Sequence, residues 1–212
     1  MKTRLALLLP LLALAGCADN NASVRVSAIC APPDDAKACT FAATCGAQYI
    51  GQNVLDVAPA TPYYELQVQV DNQTAKNDNS GAFRTNTADA FVQETEVEYL
   101  GVPLPTQRGP VLGSATVPAG GTAVISVVPI DTTNGATLKA AVGAGGYVDL
   151  VAKMRLRGVF ADTTAFETGV YEVPIRVCNG CTTVPPCTTA GEVSYPCPKA
   201  GQTPASYTCA KP

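Results

Sequence analysis

Residues 147–160 read YVDLVAKMRLRGVF, and apolar side chains alternate with polar ones along most of this stretch. Successive side chains of a β-strand point to opposite faces of a sheet, so a period of two predicts one long strand over 147–160. The face predicted to point inward carries Val148, Leu150, Ala152, Met154 and Leu156. The opposite face is charged and is expected to meet solvent, with Asp149, Lys153, Arg155 and Arg157.

The same alternation recurs on both sides of this strand. Six shorter stretches bring the number of predicted strands to seven, at 24–29, 63–70, 91–99, 112–117, 122–130 and 166–177. In 63–70, Leu66, Val68 and Val70 are predicted to face inward, opposite Glu65, Gln67 and Gln69. Pro174 has no N–H for a ladder, so the last strand is predicted to be an edge strand or to carry a bulge. One short helix is predicted over 132–142, with Thr133 as its N-cap and Gly143 as its stop.

These elements predict an all-β fold, a two-sheet antiparallel β-sandwich, because the strands follow one another at roughly 10–20 residues with hairpin-length turns and almost no helix. The pattern over 63–177 resembles that of immunoglobulin-like and fibronectin-III-like domains. A jelly roll is the alternative sandwich.

The resemblance implies a specific strand pairing, since the third and sixth strands of an immunoglobulin-like order are antiparallel neighbours. The stretch 91–99 is predicted to point inward at Phe91, Thr95, Val97 and Tyr99. Its glutamate row would then face the basic row of 147–160 across an exposed sheet face, Glu94, Glu96 and Glu98 against Lys153, Arg155 and Arg157. Opposite charges across strands contribute about 0.2–1 kcal/mol per pair and disfavour a slipped register.

The amino terminus predicts export. Lys2 and Arg4 precede an apolar run over 5–14, which has the length of a signal-peptide core and falls short of the roughly 20 residues that a membrane-spanning helix needs. The tetrapeptide Leu14-Ala15-Gly16-Cys17 resembles the lipobox of bacterial lipoproteins. That resemblance implies cleavage before Cys17, a diacylglycerol on its thiol and an acylated amino group, which together anchor a protein stably.

The resemblance also suggests a location. Ala18 stands where an Asp would retain many bacterial lipoproteins in the inner membrane, so we expect the outer membrane, with the protein facing the periplasm or the cell surface. The expected organisation is a signal peptide over 1–16, a tether over 17–22, a first strand and cysteine loop over 23–62, the sandwich core over 63–177 and a cysteine-rich tail packed on it over 178–212.

The cysteines predict a disulfide framework. Nine are present, and without Cys17 eight remain, at Cys30, Cys39, Cys45, Cys178, Cys181, Cys187, Cys197 and Cys209. With three in an amino-terminal group and five in a carboxyl-terminal group, full pairing requires at least one bridge between the groups. Such a bridge would bring the ends of the sandwich together. The Cys178–Cys181 spacing also suits a zinc knuckle or a redox pair, but no second such pair follows it, and Pro185-Pro186 come next.

Composition excludes several functions. The chain of 212 residues has no histidine, which removes His-dependent nucleophiles, metal sites and general bases. Its formal charge is −3, and −5 without residues 1–16, which argues against nucleic-acid binding. There is no G-x-S-x-G or Ser-x-x-Lys motif, and the glycine-rich stretch 143–146 precedes a strand rather than a helix, so neither hydrolase nor phosphate-loop signatures are present.

The remaining candidate sites are weaker. Oxygen ligands for calcium occur in the loop 71–89, at Asp71, Asn72, Asn77, Asp78 and Asn79, and contact aromatics for a sugar are Tyr63, Tyr64, Tyr195 and Tyr207. We expect a non-catalytic, lipid-anchored envelope protein that binds or scaffolds a protein or surface partner, without a metal or a cofactor other than the lipid on Cys17. A calcium- or carbohydrate-binding adhesion module is the alternative, followed by a carboxylate-dependent hydrolase with two carboxylates in a pocket away from the basic row.

Overall fold

A computed structural model describes residues 23–30, 45, 48, 53–76, 87–112 and 115–181, together with two short strands near the carboxyl terminus. The strands are β1 Val24–Ile29, β2 Asn53–Asp56, β3 Tyr64–Asn72, β4 Ala90–Leu100, β5 Gln107–Pro110, β6 Thr116–Val117, β7 Thr122–Ile130, β8 Tyr147–Phe160, β9 Ala165–Glu167, β10 Tyr171–Cys178, β11 Gly191–Ser194 and β12 Thr208–Ala210. One helix, α1 Thr132–Ala141, lies between β7 and β8. No helix in these ranges is long and apolar enough to cross a membrane.

The strands form two sheets that pack face to face. The small sheet has the order β1-β3-β7, and the large sheet has the order β2-β10-β8-β4-β5, with β6 beside β4 and β9 beside β8. Strands β11 and β12 pair with each other. The predicted all-β sandwich is therefore confirmed.

The core lies between the two sheets and is built from the faces that alternation predicts to point inward. Leu150, Ala152, Met154 and Leu156 of β8 are buried against the side chains of β3, β7 and β10. Removing an aliphatic side chain of this size from water contributes roughly 1.5–3 kcal/mol, which makes β8 a central element of the core.

The sandwich begins earlier in the chain than the predicted core of 63–177. Strand β1 pairs with β3 in the small sheet, whereas β2 pairs with β10 in the large sheet, and this β2–β10 pair is parallel. The amino-terminal part of the chain thus contributes to both layers. Because β2 and β5 have only four residues each and show no clear alternation, they escape a periodicity search.

Several predicted boundaries change in the structure. The ranges 24–29, 122–130 and 147–160 match their strands, but 166–177 is two strands, β9 and β10, and only the end of 112–117 forms a strand. Helix α1 is capped by the Asp131 carboxylate, which accepts from the Asn134 amide at 2.7 Å, rather than by Thr133. At Pro174, β10 has a neighbour only in β8, since its pairing with β2 begins at Ile175.

One predicted facing is wrong. The register between β4 and β8 shifts between Val92 and Glu94, which reverses the facing at the start of β4. Phe91 is consequently 40% exposed, and Val92 is buried in its place. Glu65 is predicted on the face opposite Leu66, and it is nevertheless buried, because its carboxylate accepts a hydrogen bond from the Ser126 hydroxyl.

A polar junction joins β4, β5, β7 and α1. The Tyr99 hydroxyl lies 2.9 Å from Gln107 Oε1 and 2.8 Å from the Pro129 carbonyl oxygen, and it accepts from Asn134 Nδ2 at 3.1 Å. Gln107 Nε2 in turn donates to the Val128 carbonyl at 2.7 Å. Burial raises the pKa of the Tyr99 phenol well above its ordinary value.

Tyr99→Phe is expected to lower the free energy of unfolding by about 1–2 kcal/mol near neutral pH, since buried polar partners lose a hydrogen bond. Because the pKa of Tyr99 is raised in the folded state, the stability that the neutral phenol confers is fully present below the unfolded pKa near 10 and is lost as pH rises toward the folded pKa. Urea unfolding at about pH 8 and about pH 11 measures this effect. The free energy of unfolding should fall less between the two pH values for Tyr99→Phe than for wild type. An unchanged pH dependence, equal to that of a Tyr63→Phe control, would contradict the prediction.

Candidate functional site

The outer face of the large sheet carries the predicted charge rows. Strands β4 and β8 are antiparallel neighbours, and their register places Glu94 opposite Arg157, Glu96 opposite Arg155 and Glu98 opposite Lys153. The two rows therefore lie in one sheet, side by side. Neighbouring strands β5, β9 and β10 add further charges to the same face.

The ion pairs on this face differ from the pairs that lie directly opposite. Arg157 reaches past Glu94 to Glu96, with 3.1 Å between its NH1 and Oε2, and its Nε donates to Glu167 Oε2 at 2.9 Å. Arg155 also contacts Glu167, at 3.6 Å, while Lys153 contacts Glu172 of β10 at 3.5 Å. The expected ion pairs between directly opposite residues of β4 and β8 are therefore wrong. The basic side chains of β8 also turn to Glu167 and Glu172, because β9 and β10 lie on the other side of β8.

Arg108 of β5 completes a continuous charge network. Its NH2 contacts Glu96 Oε2, and its Nε lies 3.9 Å from Glu94 Oε1. Six residues of alternating sign are thereby linked, and we call them the charge network: Glu94, Arg108, Glu96, Arg157, Glu167 and Arg155. Arg108 belongs to a stretch without strand periodicity, so only its position in the sheet reveals its role.

Glu96 is the most buried member of the network. It is 5% exposed, although alternation places it on the outer face, because the guanidinium groups of Arg108 and Arg157 cover its carboxylate. A buried carboxylate needs such partners to offset its lost hydration. Glu98, two residues further along the same strand, is exposed.

An open cavity of about 770 Å³ adjoins the charge network. Its polar wall includes Glu94, Arg108, Arg157 and Glu167, and its apolar wall includes Phe166. Gly158 leaves the space that the Phe166 ring fills, since a Cβ at this position would overlap the Phe91 carbonyl oxygen and lie 2.8 Å from the ring. The cavity falls within the size range of ligand pockets and presents both charge signs beside an aromatic ring.

The other end of the face carries a second charged group. Arg176 donates twice to Asp149, at 2.8 and 3.0 Å, and its guanidinium lies 5.1 Å from the ring centre of the exposed Tyr147. The Arg176 hydrogen bonds lower the pKa of Asp149, and the same pairing raises the pKa of Arg176. Between the two charged ends runs an apolar row of Leu100, Val151 and Pro174, which pair across three strands.

The structure joins four of the predicted disulfide cysteines, as Cys30–Cys45 and Cys178–Cys181. Cys39, Cys187, Cys197, the side chain of Cys209 and the proposed lipid anchor Cys17 lie outside the described residues. If all eight pair, these two bridges leave Cys39 alone in its group, and its partner must come from the carboxyl-terminal group. The bridge between the groups stays a prediction.

Within the described ranges, one group of side chains has the spacing of metal ligands. An oxygen of Asp56 and the sulfurs of Cys178 and Cys181 lie within 4.8 Å of one another. The two sulfurs are bonded to each other, so neither offers a thiolate in this state. The Asp56 carboxylate accepts from the amides of Ala58 and Gly180, at 2.9 and 2.8 Å.

Two of the predicted calcium ligands, Asp71 and Asn72, belong to the end of β3 rather than to a loop, and both have structural partners. Asp71 contacts Arg25 at 3.5 Å and accepts from Ser27, while the Asn72 amide donates to the carbonyls of Ala88 and Val117. Tyr64 is buried, and its hydroxyl donates to Asn53 at 2.8 Å. Asn77, Asp78, Asn79, Tyr195 and Tyr207 lie outside the described residues. These contacts engage Asp71, Asn72 and Tyr64 within the fold, so these three side chains do not form a ligand cluster.

A scan against protein-family models, a search of curated proteins and a search of solved structures each return no match.

Proposed function

We propose that the protein is a non-catalytic, lipid-anchored cell-envelope protein whose β-sandwich binds a protein partner through the outer face of the large sheet. The observation that carries this proposal is the cavity beside the charge network. It places an aromatic ring, four charged side chains and an open approach on one face of a rigid sheet.

The composition of the face favours a polypeptide ligand. A partner can align its charges with the two signs of the network and cover Phe166 and the Leu100–Val151–Pro174 row, since protein interfaces combine an apolar centre with a polar rim. Complementary charges at the rim mainly determine the specificity and the rate of association.

The engagement of the carboxylates supports binding over catalysis. Glu94, Glu96 and Glu167 each contact an arginine, and a general acid or base needs a carboxyl group that is available to a substrate. The same contacts keep the side chains in defined positions, which favours recognition because less conformational entropy is lost on binding.

Lipid attachment is tested by expressing the full chain in a bacterium, labelling with a fatty acid and fractionating the envelope. We expect wild type to carry the label and to sediment with the outer membrane, and Cys17→Ser to lose both label and membrane attachment. Ala18→Asp is the matched control, which should stay lipidated but move to the inner membrane. A lipid-free wild type would contradict the anchor.

Partner binding is tested by photo-crosslinking in cells. A photoreactive amino acid at Gln93, which is exposed and lines the cavity, is expected to yield one adduct of defined mass, identified by mass spectrometry. The same amino acid at Thr133, exposed on α1, is the matched control and should yield none. Absence of a Gln93 adduct, or the same adduct from both positions, would refute binding through this face.

A further inference from the structure

The Cys178–Cys181 bridge has two sulfurs in very different surroundings. Cys178 ends β10 and is 2% exposed, whereas Cys181 is exposed to solvent. Between them, Asn179 and Gly180 form a tight loop in which Gly180 has a φ of +85°. Cys181 is therefore the half of the bridge that is open to a thiolate from solution, whereas Cys178 is enclosed by the fold.

The backbone around the bridge is held in place without it. The Cys178 carbonyl accepts from Val57 at 2.8 Å, and the Gly180 amide donates to Asp56 at 2.8 Å. Asn179 exchanges backbone hydrogen bonds with the 143–146 turn, at 2.9 and 3.1 Å, and its side chain donates to the Val142 carbonyl at 2.9 Å. Five hydrogen bonds thus fasten this loop to the end of the sandwich.

The bridge also adds little constraint to the chain. It spans a sequence separation of 3, compared with 15 for Cys30–Cys45. The chain-entropy contribution of a disulfide grows with the length of the loop that it closes, so the shorter bridge stabilises the fold less. Opening it leaves the sheet contacts of β10 unaffected, since its pairings with β2 and β8 end at Cys178.

We propose that Cys178 and Cys181 form a thiol–disulfide exchange site that accepts electrons from a dithiol. One thiolate of the dithiol attacks the Cys181 sulfur, which forms a mixed disulfide and releases Cys178 as a thiolate. The second thiolate of the dithiol then attacks its own mixed-disulfide sulfur and releases Cys181. The dithiol becomes a disulfide, and its two protons reside on the two cysteine thiols.

The test uses the mature chain with all its bridges, treated with limiting dithiothreitol, quenched with acid and alkylated for peptide mapping. We expect Cys178 and Cys181 to become alkylated at least about tenfold faster than Cys30 and Cys45, with an unchanged β-sheet circular dichroism spectrum. Oxidised glutathione should then restore the same Cys178–Cys181 bridge. Equal rates at both bridges, reduction only on unfolding, or re-formation of a different bridge would overturn the proposal.

Paired variants separate exchange from a structural role. A Cys178→Ser and Cys181→Ser double variant is expected to keep the wild-type Tm to within a few degrees and to lose the fast alkylation phase. The matched double variant Cys30→Ser and Cys45→Ser should retain that phase. If the Cys178→Ser and Cys181→Ser variant fails to fold, the bridge is required for the fold and the proposal is wrong.

Discussion

Glu96→Gln is expected to lower the free energy of unfolding by about 2 kcal/mol, because it replaces a buried carboxylate with an amide that faces two guanidinium groups. Removing one partner of a buried ion pair costs about 3–5 kcal/mol when both charges are desolvated. Here the cost is smaller, since the Arg108 side chain is 59% exposed and water solvates it when the carboxylate is lost.

Chemical unfolding in urea at neutral pH measures this effect, with Glu98→Gln as the matched control. Both residues are glutamates of β4, but Glu98 is exposed, so its substitution should change stability by no more than about 0.5 kcal/mol. A loss of similar size in both variants would show that overall charge, rather than the buried contacts of Glu96, controls stability.

The same substitution should also weaken partner crosslinking from Gln93. Without the Glu96 carboxylate, Arg108 and Arg157 lose the group that holds them together at the wall of the cavity. If crosslinking survives while stability falls, the charge network stabilises the sheet without shaping the binding surface.

Gly158→Ala is expected to destabilise the protein by about 3 kcal/mol, since overpacking at a rigid position costs about 1–3 kcal/mol and more when the backbone must move. The added Cβ would overlap the carbonyl oxygen of Phe91 in the neighbouring strand, and Val92 is the residue that pairs with Gly158. To remove this overlap, β4 and β8 must move apart near their register shift. The sheet would then lose backbone hydrogen bonds between the two strands.

Gly109→Ala is the matched control for this prediction. Gly109 lies in β5 of the same sheet and also lines the cavity, but a Cβ there would have no atom within 4 Å. Its substitution should alter the free energy of unfolding by no more than about 0.5 kcal/mol. An equal decrease in the free energy of unfolding of both variants would mean that backbone entropy, and not the contact with Phe91, causes the destabilisation.

Much of the architecture is predictable from alternation alone. The 147–160 pattern defined both the bounds of β8 and its buried face. The pairing of β4 with β8 was expected from the resemblance to immunoglobulin-like domains, and the register of the two strands agrees with it. These predictions succeed because a long strand with one buried face repeats the same local signal many times. Short strands such as β2 and β5 give too few repeats to be distinguished from loops.

Only part of the candidate site could be predicted from the sequence. The glutamate and arginine rows were apparent, but the burial of Glu96 depends on Arg108 arriving from β5, and the cavity depends on Gly158 and Phe166 meeting across β8 and β9. Likewise, the wrong facing of Phe91 follows from a register shift that exists only between two paired strands.

The sequence by itself determined the class of fold, the long central strand, its buried face and the presence of cysteines able to form bridges. Tertiary structure alone decided which carboxylate is buried, which arginine covers it, and which residue of the Cys178–Cys181 bridge is exposed. The physical reason is that periodicity reports the two faces of a single strand. Burial of a particular polar group depends on neighbours that are distant in the chain, and no local pattern encodes their approach.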